Sequence, residues 1–294
     1  MRKHRVSVLS AAVGAALLFS AGAEACTLNA WTVNGSIVGS APNLVPGGPG
    51  HTNNTVKRYS GVCGMRALAS GNYVQNDDPA NDQIFRARFY VFTGITGGSA
   101  TAYLAGNSTN NNEIEVIVNR ASNQLQVRHR GGSPVNFTIN SAGRWYSVEV
   151  AMNATGTATT GTDPIPANTM VVRVSGANTG VTDTITSQSL SVTSGAAIDF
   201  ARLGWVSGSA TAGSDGLQFD AYESTRSAGN PIGRLCRGNM NADTTRNILD
   251  LVQIANNING TFSGGQPDVN EDGQVNVLDM TVLQQIISST SPGC

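Results

Sequence analysis

The chain has 294 residues, 13% of them charged, with 18 basic against 19 acidic side chains and a net charge of −1. So even a balance, with no basic stripe, argues against nucleic acid as a partner. This length exceeds what one small domain needs.

Residues 1–25 read as a secretory signal peptide. Arg2, Lys3, His4 and Arg5 form a basic start, Val6 to Ser20 a short apolar core, and Ala23-Glu24-Ala25 a small-residue cleavage site. The apolar core is too short to span a bilayer comfortably. Removing residues 1–25 takes away Arg2, Lys3, Arg5 and Glu24, leaving 15 basic and 18 acidic residues, net −3, with Lys57 the single lysine. No second long apolar run follows, so no transmembrane segment is expected after signal removal. The expected location is extracellular, with periplasm or cell surface as alternatives.

Four cysteines remain: Cys26, Cys63, Cys236 and Cys294. An even count in an exported chain favours disulfides. Of the three possible pairings, Cys26–Cys63 with Cys236–Cys294 keeps each bridge inside one proposed domain. A metal cluster lacks the short Cys-x-x-Cys spacing.

Residues 26–230 carry period-two patterns between polar turns. Phe85, Ala87, Phe89 and Val91 share one face. So do Ile114, Val116 and Val118, then Tyr146, Val148, Val150 and Met152, then Met170, Val172 and Val174, and last Leu217, Phe219 and Ala221. Asn107 to Asn112 and Thr155 to Thr162 read as loops. Many such strands without helices predict an antiparallel β-sandwich. Gly143-Arg144-Trp145-Tyr146-Ser147-Val148-Glu149-Val150 resembles a strand of concanavalin A-like and laminin G-like jelly rolls, and Gly216 to Tyr222 resembles their last strand. The resemblance covers two short segments and implies a jelly roll.

No catalytic constellation stands out there. Only His51 and His129 remain in the mature chain, with no His-Glu-x-x-His and no Gly-x-Ser-x-Gly. His129 reads as an exposed strand residue. Glycosidases need two carboxylates across a cleft. Glu113 with Glu115 is the nearest strand pattern. Asp220 and Glu223, three apart, are expected on opposite faces of a strand. Both sets read as solvated strand faces. Tyr90, Tyr103, Trp145, Trp205 and Tyr222 are candidates for stacking on sugar rings.

Residues 231–294 change period. Leu251, Ile254, Ala255 and Ile258 share one helical face, as do Met280, Leu283 and Ile287. Before each helix lies a 12-residue loop. The second places Asp268, Asn270, Asp272, Gln274 (through its carbonyl), Asn276 and Asp279 at the calcium-ligand positions, with Gly273 at the turn and apolar Val275 pointing inward. Asp279 is shorter than the usual glutamate. The first loop, 29 residues upstream, places Asn239, Asn241, Asp243, Thr245, Asn247 and Asp250 in the same positions. Asn239 replaces the first acid and Thr244 the glycine, so weaker Ca²⁺ binding is expected in that loop.

Gly238 to Ile287 resembles a type I dockerin. That resemblance implies one Ca²⁺ per loop, two helices presenting a duplicated surface to a cohesin partner, and company with secreted polysaccharide-degrading enzymes and surface proteins. Two departures stand out: Ile248-Leu249 and Val277-Leu278 where Ser or Thr is common, and Gln284-Gln285 where the family carries Lys-Arg. The apolar pairs are read as a different partner's surface or as core packing, with core packing favoured for Ile248 and Val277. The expected function is calcium-dependent docking or anchoring, with a sandwich that binds polysaccharide or a surface component. The alternatives are a polysaccharide hydrolase or lyase, and a structural surface protein in which calcium only stabilises the tail.

Overall fold

The computed structural model describes residues 31–34, 37–39, 56–61, 64–109, 111–226, 229–260 and 264–289. The signal segment, His51 and three of the four cysteines (Cys26, Cys63 and Cys294) lie outside them. Among the described residues no helix is long and apolar enough to cross a membrane.

Two seven-stranded antiparallel sheets face each other. In spatial order the first holds β1 (Thr32–Asn34), β4 (Asn72–Asn76), β13 (Phe200–Gly208), β6 (Ser99–Gly106), β7 (Asn112–Asn119), β8 (Gln124–Arg128) and β9 (Val135–Thr138). The second holds β12 (Ile185–Ser191), β11 (Thr169–Gly176), β10 (Trp145–Asn153), β5 (Ile84–Gly94), β14 (Gly216–Thr225), β3 (Met65–Ala67) and β2 (Ile37–Gly39). The alternating residues meet between the sheets: Phe85, Phe89 and Val91 of β5 and Val148, Val150 and Met152 of β10 pack against Ile114, Val116 and Val118 of β7. Side chains on the other parity of each strand therefore point out of the sandwich.

Register shifts interrupt the β13–β6 and β6–β7 pairs of the first sheet and the β14–β5 pair of the second, and the last of these moves candidate acids. A register shift lies between Asp220 and Glu223 of β14, with Ala221 at φ 49°. This bulge sets Asp220 opposite Tyr90 and Glu223 opposite Arg88. Tyr90 and Arg88 are alternate residues of β5, so both acids share the outer face rather than opposite faces. Tyr222 instead packs toward the core, beside Tyr103 and Trp31.

The C-terminal part forms α1 (Ile248–Ile258) and α2 (Val277–Ile287). Met240, Ile254, Val269, Val282, Leu283 and Ile286 make its core, with Leu251, Ile258, Val275, Met280 and Ile287 against it. Each helix begins with a reciprocal capping box: Asn247 with Asp250, and Asn276 with Asp279.

This tail lies on the outer face of the second sheet. Ile232 and Gly233 backbone N–H groups donate to the Glu149 carboxylate at 3.2 and 2.9 Å, and the Leu235 N–H donates to the Tyr90 hydroxyl at 2.8 Å. Beneath them Tyr59, Tyr90, Phe92 and Trp145 form a separate buried cluster, with Tyr59 stacked on Tyr90 at 3.8 Å.

Candidate functional site

Aspartate at position 12 is the strut of both loops. In the second, Asp279 Oδ1 accepts from Val269 N and Asn270 N at 2.7 and 3.1 Å, while Oδ2 accepts from Asn276 N at 2.8 Å. In the first, Asp250 accepts from Met240 N and Asn247 N at 2.7 and 2.8 Å. The carboxylate thus ties the start of the loop to the start of the helix. A short side chain suits this task, which accounts for aspartate in place of glutamate.

The other positions predicted to be ligands in the second loop are ordered from within. Asp268 accepts from Asp272 N at 3.0 Å and Gly273 N at 2.6 Å; Asn270 Oδ1 accepts from Asp272 N at 3.0 Å; Asp272 Oδ1 accepts from Gln274 N at 2.8 Å. Asn276 caps α2 through Leu278 N at 2.8 Å. Both oxygens of Asp268 and of Asp272, and Oδ2 of Asp279, keep a lone pair beyond the hydrogen bond each accepts, whereas Asp279 Oδ1 already accepts two N–H groups. Asp268 is 1% exposed, and burial, followed by the charges of Asp279 and Asp272, pushes its carboxyl well above the usual range. Burial also pushes Asp279 up to about 7, with repulsion from Asp272 adding to it and backbone donors opposing it.

Three mutually repelling acids among neutral oxygen donors fit a hard divalent cation. Asp268, Asp272 and Asp279 would supply charge, with Asn270, Asn276 and the Gln274 carbonyl completing the oxygen set. Among the described residues no three His, Cys, Asp or Glu side chains gather into a ready metal cluster. The acids of this loop are instead turned onto backbone N–H groups.

The two loops share a left-handed residue at position 4: Ala242 and Glu271 both have φ 59°. They part at position 6. Gly273 has φ +81°, whereas Thr244 does not adopt a left-handed conformation. A Cβ on Gly273 would also lie 2.5 Å from the Phe92 ring, so the glycine serves both the turn and the close approach to the sandwich. In the first loop the Asn239 amide donates to the Asp243 carbonyl at 2.6 Å, in place of a carboxylate accepting from the backbone. Asn241 and Thr245 both bond to Asp243, a fully exposed acid whose carboxyl is held below its usual range by the Thr245 N–H. Asn247 caps α1 through Leu249 N at 2.8 Å. The first loop thus gathers two acids, Asp243 and Asp250, against three in the second.

Positions 10 and 11 correct the expected core packing. Ile248 is 65% and Val277 66% exposed, beside Leu249 at 58% and Leu278 at 56%. They sit in the first turn of each helix, on the side away from Ile254 and Leu283. The duplication therefore presents two equivalent apolar pairs to solvent.

The sandwich places other candidates differently from expectation. Tyr90, Tyr103 and Trp145 are fully buried and Trp205 nearly so, while Tyr222 is half-buried against the core, so none of the five offers an open ring face. His129 is buried, not exposed. Thr193 N–H donates to its Nε2 at 3.0 Å, and Nδ1 faces the Glu113 carbonyl at 2.8 Å. Glu113 and Glu115 are also buried and bind Arg130 and Arg128 at 2.7 Å. Asp220 accepts from Tyr59 N and Ser60 N at 2.7 and 2.8 Å, and Glu223 pairs with Arg88 at 2.6 Å. Burial pushes the Asp220 carboxyl up to about 6, against those N–H donors.

Sequence reasoning passed over one acid pair. Glu149 and Asp163 line a cavity of about 250 Å³ beneath Pro231 and Gly233. Both lie against Arg86 Nη1, at 3.5 and 2.7 Å, and Arg173 bridges them again. Guanidinium groups hold both, and the Ile232 and Gly233 N–H groups add to Glu149 alone, which makes Glu149 the anchor for the tail. Cys236 is disulfide-bonded. Cys26, Cys63 and Cys294 are outside the described residues, and so is the pairing.

No protein-family model matches the chain, and no curated protein does. Among solved structures it is similar to a receptor-binding domain, with TM-score 0.39 and 11% identity over 68% of this chain and 43% of that one. It is also similar to Trypanosoma rangeli sialidase, with TM-score 0.40 and 11% identity over 57% and 26%. A tetrameric galectin from the sponge Cinachyrella sp. gives TM-score 0.33 and 12% identity over 52% and 98%. The chain spans less than half the length of the first of these.

Proposed function

We propose that this chain is an exported calcium-binding assembly protein, in which a dockerin-like tail docks a cohesin-like or other surface domain. The reading rests on one observation: Ile248-Leu249 and Val277-Leu278 are exposed at equivalent places of two repeats. The first turns that carry them are fixed by capping boxes on Asp250 and Asp279, the same aspartates that would hold Ca²⁺. Metal in the second loop would relieve repulsion among Asp268, Asp272 and Asp279 and hold the apolar pair of α2 in place. The first loop, poorer in acid, is the weaker site.

In this reading the concanavalin A-like sandwich contacts polysaccharide. The outer face of its second sheet lies under the tail, which leaves the outer face of the first. There Gln75, Arg202, Leu104, Glu115 and Arg128 form one cross-strand row. Arg202 lies over the ring of the half-buried Tyr73 at 4.9 Å. Leu104 and Glu115 of this row are buried, and the half-buried Gln75, Arg202 and Arg128 offer an amide and two guanidinium groups that suit sugar hydroxyls.

The test is titration calorimetry of the full-length protein against a panel of cohesin domains, in calcium and in chelator. Binding should need calcium and fall at least tenfold in the double variant Leu249→Ser, Leu278→Ser, a loss of about 1.4 kcal/mol or more. Exposed positions of this kind tolerate substitution, so the variant's stability should stay within about 0.5 kcal/mol. A calcium-dependent gain in melting temperature with no partner bound in any arm would support the structural alternative instead.

A further inference from the structure

Position 4 of an EF-hand-type loop supplies no ligand, yet in the second loop it holds a carboxylate that is completely buried. Glu271 Oε1 accepts from the Tyr59 hydroxyl at 2.9 Å and from Arg234 Nη2 at 2.6 Å. Its Oε2 accepts from both the backbone N–H and the side-chain amide of Asn178, each at 2.9 Å. The Glu271 carbonyl accepts from Trp145 N at 3.0 Å. Four donors to one carboxylate, a guanidinium among them, meet the cost of burying its charge.

The neighbouring residues reinforce this seat. Lys57 Nζ donates to the Gly273 carbonyl at 3.1 Å, and Arg144 stands 3.8 Å from Asp272. The fully buried Arg237 donates to the Val269 carbonyl at 2.6 Å and reaches back to the Asn178 and Gly180 carbonyls and to Asp183. The first loop is an internal control. Ala242 holds the same position with the same φ of 59°, so the carboxylate is not needed for the turn. The acid is specific to the second repeat, whose loop meets the sandwich.

We infer that Glu271 is a positioning residue for the second calcium loop: it seats the loop in a socket of Tyr59, Asn178 and Arg234, so that cation binding and ordering of sandwich segments 56–60 and 178–183 are one event. Glu271 lies between Asn270 and Asp272, two ligand positions, so fixing it fixes the spacing of both. By linkage, metal that favours the ordered loop favours the ordered socket, and the socket raises metal affinity by the same factor. This rests on the calcium reading above but makes a separate claim.

Hydrogen–deuterium exchange of the full-length chain, in calcium chloride and in chelator, separates the two. In the wild type, calcium should protect residues 56–60 and 178–183 together with 268–279. In Glu271→Ala, protection should be confined to 268–279, and calorimetric affinity for calcium should weaken roughly tenfold, as when an outer-shell partner is removed. Glu271→Gln should recover part of both, because its single carbonyl oxygen can still accept from Arg234 and Tyr59. Should Glu271→Ala fail to fold by circular dichroism, Asn178→Ala, which leaves the loop sequence intact, is expected to give the same loss of remote protection. Calcium protection confined to 264–289 in the wild type would overturn the inference and leave the calcium reading standing. So would a Glu271→Ala variant that is less stable but binds calcium as tightly as the wild type. No heat and no protection anywhere would overturn the calcium reading itself.

Discussion

Asp220 shows how burial and hydrogen bonding compete at one carboxyl group. Two N–H groups of the 59–60 segment point at it, yet desolvation prevails and the group titrates near 6. An unfolded aspartate titrates near 3.9. The folded state therefore holds the proton more tightly, and between these values it binds more protons than the unfolded state does. The stability contributed by this group is fully present below about pH 4 and is lost as pH rises through about 6. Asp220→Asn removes that fall. Across urea midpoints from pH 4 to 7, the wild type should lose on the order of 2 to 3 kcal/mol relative to the variant. A constant difference across that range would mean that the carboxyl titrates as it does in the unfolded chain.

At the scale of elements, the two helices depend on their caps more than on their length, since eleven residues are marginal for an isolated helix. Asn247→Ala and Asn276→Ala should each cost about 1 kcal/mol, measured by thermal or chemical unfolding. The two helices and five of the fourteen described strands were legible in the sequence because one-sided burial imposes a period: 85–91 and 146–152 alternate in the core as their pattern predicts. The bulge at Ala221 was not legible, because one left-handed residue in a strand leaves no periodic trace. Exposure of Ile248 and Val277 was misread for a related reason. A short module has too few core positions for hydrophobicity alone to say which apolar residue faces inward. The two loop-helix repeats could be read from spacing, whereas the contacts of Glu271 could not, since they lie with residues nearly 100 and more than 200 positions away.

For the whole molecule, the tail is a cover for the second sheet. Tyr59, Tyr90, Phe92 and Trp145 are buried on the outside of a sheet, where a bare sandwich would expose them. A chain ending at residue 230 should bind the dye ANS and show red-shifted tryptophan emission, with Trp145 the main contributor. Emission unchanged from the full-length protein would mean that the sandwich itself buries this cluster.

The seat of Glu271 also bears on portability. Fused to an unrelated carrier, residues 231–294 would bring a carboxylate without Tyr59 or Asn178 to receive it, and the loop would lose the partners that seat it here. The first repeat shows the remedy: alanine at that position, as at Ala242, would turn a part built for one sandwich into a cassette that travels.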